Sequence, residues 1–198
     1  MNALVYLFHA IFWSAFLVRA LRKAPRDPAP SASGPAGSGG APRAARHPRL
    51  VLFFHGVGFG SMYYSIGSVV RSPEPRQAAF PLPWWIGAAV ILAGGALFAW
   101  ALLVFDSWRV LPKLDADHRL CTRGPYRLLR HPIYAACDLL AIGTYLWLPT
   151  VRMLVASMLM LLGAELRARA EEKLLLGVFG EEYRRYRETT KRFLPGIY

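Results

Sequence analysis

Cysteine is almost missing from this chain. Cys121 and Cys137 are the only two, so neither a disulfide framework nor a CxxC metal site can be built, and isolated thiols are expected. Acidic side chains are also scarce, 12 against 24 Lys and Arg. No basic segment precedes the first apolar run; Arg19 and Arg22 follow it, the reverse of a secretory signal, so the run is expected to stay as an anchor. A soluble dinucleotide-binding unit is missing too. The string Gly56-Val57-Gly58-Phe59-Gly60 lies inside an apolar stretch, with no strand before it. Gly56 and Gly60, four apart, share a helix face and are expected to serve close helix packing; Gly94-Gly95 reads the same way.

What the chain has in abundance is apolar surface: 55% of its residues are hydrophobic. Five runs of roughly membrane length occupy 3–18, 50–70, 84–105, 133–148 and 151–164. The last two are separated only by the turn around Leu148-Pro149-Thr150, which suits a tight helical hairpin. The expected fold is an all-α integral membrane protein of about five transmembrane helices, the last two a short hairpin, plus a C-terminal interfacial helix. Residues 1–22 are expected to form an N-terminal transmembrane anchor. Residues 23–49, rich in Pro, Gly, Ser and Ala, read as a flexible cytoplasmic linker. Residues 50–198 make the membrane body.

The formal charge of +12 raises nucleic acid as a partner, but its distribution excludes it. Of the 24 basic residues, only Arg71, Arg76 and Arg152 fall on one side of the five-span layout. The other 21 gather on the opposite side. The positive-inside rule then places the N-terminus outside and the C-terminus in the cytoplasm, facing membrane lipid. No obligatory protein partner is implied.

Polar groups inside apolar runs are the next signal. His9 and His55 have no evident partner in the sequence and are expected to be neutral, hydrogen-bonded packing residues. Asp106 reads as solvated beside Arg109. Asp138 lies four residues beyond Tyr134 on the same face. Reaching back to a basic partner and lining a ligand cavity both account for it.

The fourth run is entered through Arg130-His131-Pro132-Ile133-Tyr134, with Pro132 in the first turn, where no backbone donor is needed. The fifth is left through Arg167-Ala168-Arg169-Ala170-Glu171-Glu172-Lys173. Glu165, Arg169 and Glu172 share one face there, and Arg167 and Glu171 pair on a neighbouring one. Folding the hairpin should bring Arg130, His131 and Tyr134 against Arg169, Glu171 and Glu172. Such a set of cations, acids, imidazole and phenol suits a zwitterionic ligand. Surface ion pairs and snorkelling anchors are the plainer account. In the tail, Phe179, Tyr183 and Tyr186 share a face beside basic residues, the pattern of a helix lying on anionic lipid or over the site.

Taken together, Gly124-Pro125-Tyr126-Arg127, Arg130-His131-Pro132-Ile133-Tyr134, Arg169-Ala170-Glu171-Glu172 and the segment from Phe179 to Tyr186 resemble the isoprenylcysteine carboxyl methyltransferase family. The similarity extends to the related phospholipid N-methyltransferases and covers roughly residues 105–195. It implies an integral membrane methyltransferase, with S-adenosylmethionine held at the cytoplasmic side by the last hairpin and the tail. By the resemblance, His131 and Tyr134 contact the cofactor, Arg130 and Pro132 shape its pocket, and Glu171 and Glu172 supply the paired acids. Arg169 would orient an acidic acceptor or the cofactor carboxylate. Where the family often has Gly, this chain has Ala136, whose methyl could narrow the pocket. The lipophilic acceptor stays open among a prenylated cysteine carboxylate, a phospholipid amine, a small thiol and another isoprenoid acid. An NADPH-dependent membrane reductase of the sterol-reductase type and a non-enzymatic scaffold are the competing readings. The paired acids suit a phosphate-rich cofactor poorly.

Overall fold

A computed structural model describes residues 3–22, 48–71, 83–105 and 120–198. Of the linker expected at 23–49, residues 23–47 lie outside these, as does the Asp106–Arg109 pair, while 48–49 belong to a helix. Among the described residues six α-helices follow in order: α1 Leu4–Arg22, α2 Pro48–Arg71, α3 Trp84–Val104, α4 Pro132–Trp147, α5 Val151–Phe179 and α6 Glu181–Thr189. A 3-10 turn over Gly124–Arg127 precedes α4. Among the described residues there is no strand, only an isolated parallel bridge between Leu129 and Lys191. The first four helices match the first four apolar runs closely, and α5 begins with the fifth but runs on past 164 to Phe179. By length and composition, α3 can cross a membrane, with a mean hydropathy of 2.2, and Leu4–Arg19 is a shorter apolar helix.

Missing side chains let α3 and α4 touch along their backbones. A Cβ on Gly87 would sit 2.5 Å from the Gly143 carbonyl oxygen, and one on Gly143 would sit 2.8 Å from that of Gly87. Higher on the same seam, Gly94 faces the backbone of Ala136, which is fully buried. Ala136 is thus packed into the core beside α3. The α2–α5 contact departs from expectation. Gly56 and Gly60 face open space, and it is Gly58 that meets Met160, at 3.0 Å from its absent Cβ. Residues two apart point to nearly opposite sides of a helix, so the packed face is the one opposite the expected pair.

The first helix is part of this core, with Val5 and Phe12 buried in it. A buried chain of hydrogen bonds also ties it down. The Trp13 indole donates to the Tyr63 hydroxyl (2.6 Å), which lies 3.1 Å from His9 Nδ1. His9 Nε2 is 2.9 Å from Thr144 Oγ1, and that hydroxyl donates to the Leu140 carbonyl at 2.6 Å. With the Thr144 proton committed, His9 must donate through Nε2 and accept from Tyr63 through Nδ1. His9 is therefore a satisfied packing histidine joining α1, α2 and α4.

The hairpin forms as expected. Thr150 caps α5 by accepting from the Met153 amide at 3.2 Å. At 29 residues α5 is about 43 Å long, against about 24 Å for the 16 residues of α4, so its second half runs past the start of α4. That overhang carries Arg167 to Glu172.

Candidate functional site

The approach to α4 is fixed from two sides. Gly124 has φ +58, a left-handed conformation suited to glycine, and an added Cβ would stand 2.8 Å from Val104. The 3-10 turn therefore abuts the end of α3. On its other side the tail pairs with it: the amides of Arg130 and His131 donate to the carbonyls of Lys191 (2.6 Å) and Arg192 (3.2 Å). The α6 helix turns its tyrosines inward. Tyr186 donates to the Tyr126 carbonyl at 2.7 Å, and both Tyr183 and Tyr186 are buried. Of the aromatic face read from the sequence as a lipid or site contact, Tyr183 and Tyr186 are thus packed against the protein and Phe179 is half-buried, leaving Arg184, Arg185 and Arg187 outside.

Glu172 sits at the centre of what these constraints assemble, 5% exposed. Its Oε1 accepts from Arg130 Nε (3.0 Å) and Arg192 Nε (3.0 Å) and lies 3.3 Å from His131 Nε2. Its Oε2 accepts from Arg192 Nη2 at 2.8 Å. Burial works against ionising this acid, but the hydrogen bonds from His131, Arg192 and Arg130 outweigh it. They hold the carboxyl well below its ordinary range. Arg130 is itself anchored, donating to the carbonyls of Arg187 (3.2 Å) and Thr190.

Glu171 has a different environment. Its side chain is 24% exposed, it accepts a hydrogen bond from the Tyr134 hydroxyl, and it lies 3.6 Å from Arg167 Nε and 3.7 Å from His131 Nδ1. The His131 and Tyr134 rings stack at 11°, and the Arg167 guanidinium lies over the Tyr134 ring, 5.1 Å from its centroid. One helical turn deeper, Asp138 Oδ1 is buried with no hydrogen-bond partner among the described residues. His55, 6.1 Å from the Tyr134 ring, has Nδ1 in the same condition.

The structure therefore brings together Arg130, His131, Tyr134, Glu171 and Glu172, with Pro132 opening the helix that carries two of them. Arg169 does not join them. It is exposed and pairs with Glu165, four residues earlier. At that point on α5 the inward cation is Arg167, two residues away and so on the opposite side. Arg192 is the residue that sequence reasoning missed. It bridges Glu172 to Glu165 (2.8 Å), where Tyr198 also donates at 2.9 Å. Its only sequence signal is a basic residue in a basic tail. A separate apolar cavity of about 270 Å³ lies between α1 and α3, lined by Phe8, Phe12, Ile91 and Gly95 among others, away from the polar cluster.

Comparison with known proteins adds an independent line. A model of the phospholipid methyltransferase family matches residues 82–182. The chain is 26% identical over 135 residues to a protein-S-isoprenylcysteine O-methyltransferase of Dictyostelium discoideum, covering 63% of this chain and 54% of that one. It is 34% identical over 89 residues to the protein of that name from Schizosaccharomyces pombe, covering 44% and 38% respectively. The chain thus spans about half, or less, of the length of these curated relatives. Its fold is similar to that of the eukaryotic intramembrane Ras methyltransferase, an isoprenylcysteine carboxyl methyltransferase. The TM-score is 0.59 at 21% identity, over 99% of this chain and 68% of that one.

Proposed function

The chain belongs to the phospholipid methyltransferase family, and we propose that it is a membrane enzyme transferring the methyl group of S-adenosylmethionine to a lipophilic acceptor. The acceptor reading follows the relatives, whose names specify isoprenylcysteine, so a prenylated cysteine carboxylate is the first candidate and a phospholipid amine the second. Five helices would cross the membrane, with the basic majority and the C-terminus on the cytoplasmic side. The polar cluster lies at that end of the α4–α5 hairpin. No observation favours the reductase or the scaffold.

The observation that carries this reading is the unequal state of the two adjacent acids. Glu172 is saturated by Arg130, Arg192 and His131, whereas Glu171 is partly open. The chemistry of the donor set fits a zwitterionic sulfonium cofactor: an accessible carboxylate for its ammonium, guanidinium groups for its carboxylate, and flat aromatic surface beside them. Glu171, His131 and Tyr134 would contact it, with Pro132 and Arg130 shaping the wall. Glu172 and Arg192 would hold that wall in place. That cofactor supplies a methyl group already activated for displacement.

The protein's share is then alignment and water exclusion. Holding two reactants in line is worth about 7–11 kcal/mol in favourable cases. Arg167, inward beside Tyr134, is better placed than Arg169 to orient an acidic acceptor; Arg169 would act from the rim through Glu165. Transfer of labelled methyl from the cofactor into a total lipid and protein extract, followed by identification of the product, tests the proposal. Labelling that disappears in Glu171→Ala and His131→Ala supports it. No labelled product and no cofactor binding by the folded protein would refute it.

A further inference from the structure

Two tyrosines one turn apart on α6 are both buried but bonded differently. The Tyr186 hydroxyl is spent on the backbone, 2.7 Å from the Tyr126 carbonyl and 3.5 Å from that of Leu129. Tyr183, with 0% exposure, has a hydroxyl with no hydrogen-bond partner among the described residues. Burying a hydroxyl without a partner is unfavourable, and Phe would fill the same space without that cost. The groups acting on this phenol are those of the polar cluster. Burial pushes its pKa up, the Glu172 charge adds to that, and the Arg130 guanidinium opposes it. One turn further along α6 the Arg187 carbonyl accepts from Arg130 Nη1 at 3.2 Å, which sets this helix beside the polar cluster.

We infer that Tyr183 is a ligand-binding residue whose hydroxyl donates to the carboxylate of the cofactor's amino-acid end. This rests on the proposed function. An amino-acid end suits the position, because Arg130 attracts its carboxylate and the neighbouring acids attract its ammonium. A phenol supplies a neutral donor where a further cation would be surplus, since Arg130, Arg192 and His131 already surround Glu172.

Tyr183→Phe in the full chain, purified in lipid nanodiscs, tests this with two probes and one stability measurement. S-adenosylhomocysteine keeps the amino-acid end; 5′-methylthioadenosine lacks it. The expected result is about a tenfold weaker Kd for the first, the size of one lost hydrogen bond to a charged group. The Kd for the second should stay unchanged, and the ligand-free Tm unchanged or higher. An unchanged Kd for S-adenosylhomocysteine, equal weakening of both ligands, or a fall in ligand-free Tm would each overturn the inference while leaving the proposed function standing. Absence of binding by the wild-type chain would overturn both.

Discussion

Arg192 grips both carboxylate oxygens of Glu172, Nε 3.0 Å from Oε1 and Nη2 2.8 Å from Oε2. The two residues belong to the tail and to the far end of α5. Their contact, together with the Leu129–Lys191 bridge, closes the C-terminal segment over the start of α4. A bidentate pair of this kind depends on the planar guanidinium fork, which lysine does not have.

Arg192→Ala is expected to destabilise the protein by about 3–5 kcal/mol, because a buried carboxylate loses its principal partner. Arg192→Lys should recover only part of this. Thermal unfolding in detergent measures both, and a loss confined to local fraying of the tail would show that Arg130 and His131 suffice.

The same acid sets a pH dependence. Glu172 has a folded pKa held below its ordinary value of 4.5, so its stabilising contribution is complete above that value and falls away as pH drops through the folded pKa. Stability should therefore show no Glu172-linked change from pH 6 to 8, a window above the carboxyl range, and should decline only in strong acid. Glu172→Gln should lower stability at neutral pH and flatten the acid limb. An unaltered acid limb would mean that other carboxylates govern it.

The helix seams separate two kinds of glycine. Gly143→Ala places a methyl 2.8 Å from the Gly87 carbonyl and should cost about 1–3 kcal/mol through overpacking. Gly56→Ala meets nothing and should be neutral or stabilising by up to about 1 kcal/mol, from helix propensity. Equal effects at both sites would contradict the packing described.

How far the sequence carried can be judged from these residues. The hairpin was legible because a short link after Leu148 leaves α4 and α5 little choice but to lie antiparallel. That alone brings Arg130, His131 and Tyr134 to Glu171 and Glu172. Which side of a helix faces inward was not legible where both sides are plausible. Gly58 rather than Gly56 and Gly60, and Arg167 rather than Arg169, were decided by neighbours distant in the chain. The inward face of α6 was hidden for the same reason, since tyrosines suit protein and lipid alike. Arg192 was beyond reach because its place depends on the tail pairing with residues 129–131, far earlier in the chain.

The most direct measurement is equilibrium binding of labelled S-adenosylmethionine to the full chain in nanodiscs, wild type beside Glu171→Ala. Saturable binding by the wild type, weakened about tenfold or more in the variant at unchanged Tm, is the outcome this account requires. Equal affinity in both, or no saturable binding to a folded wild type, would contradict it.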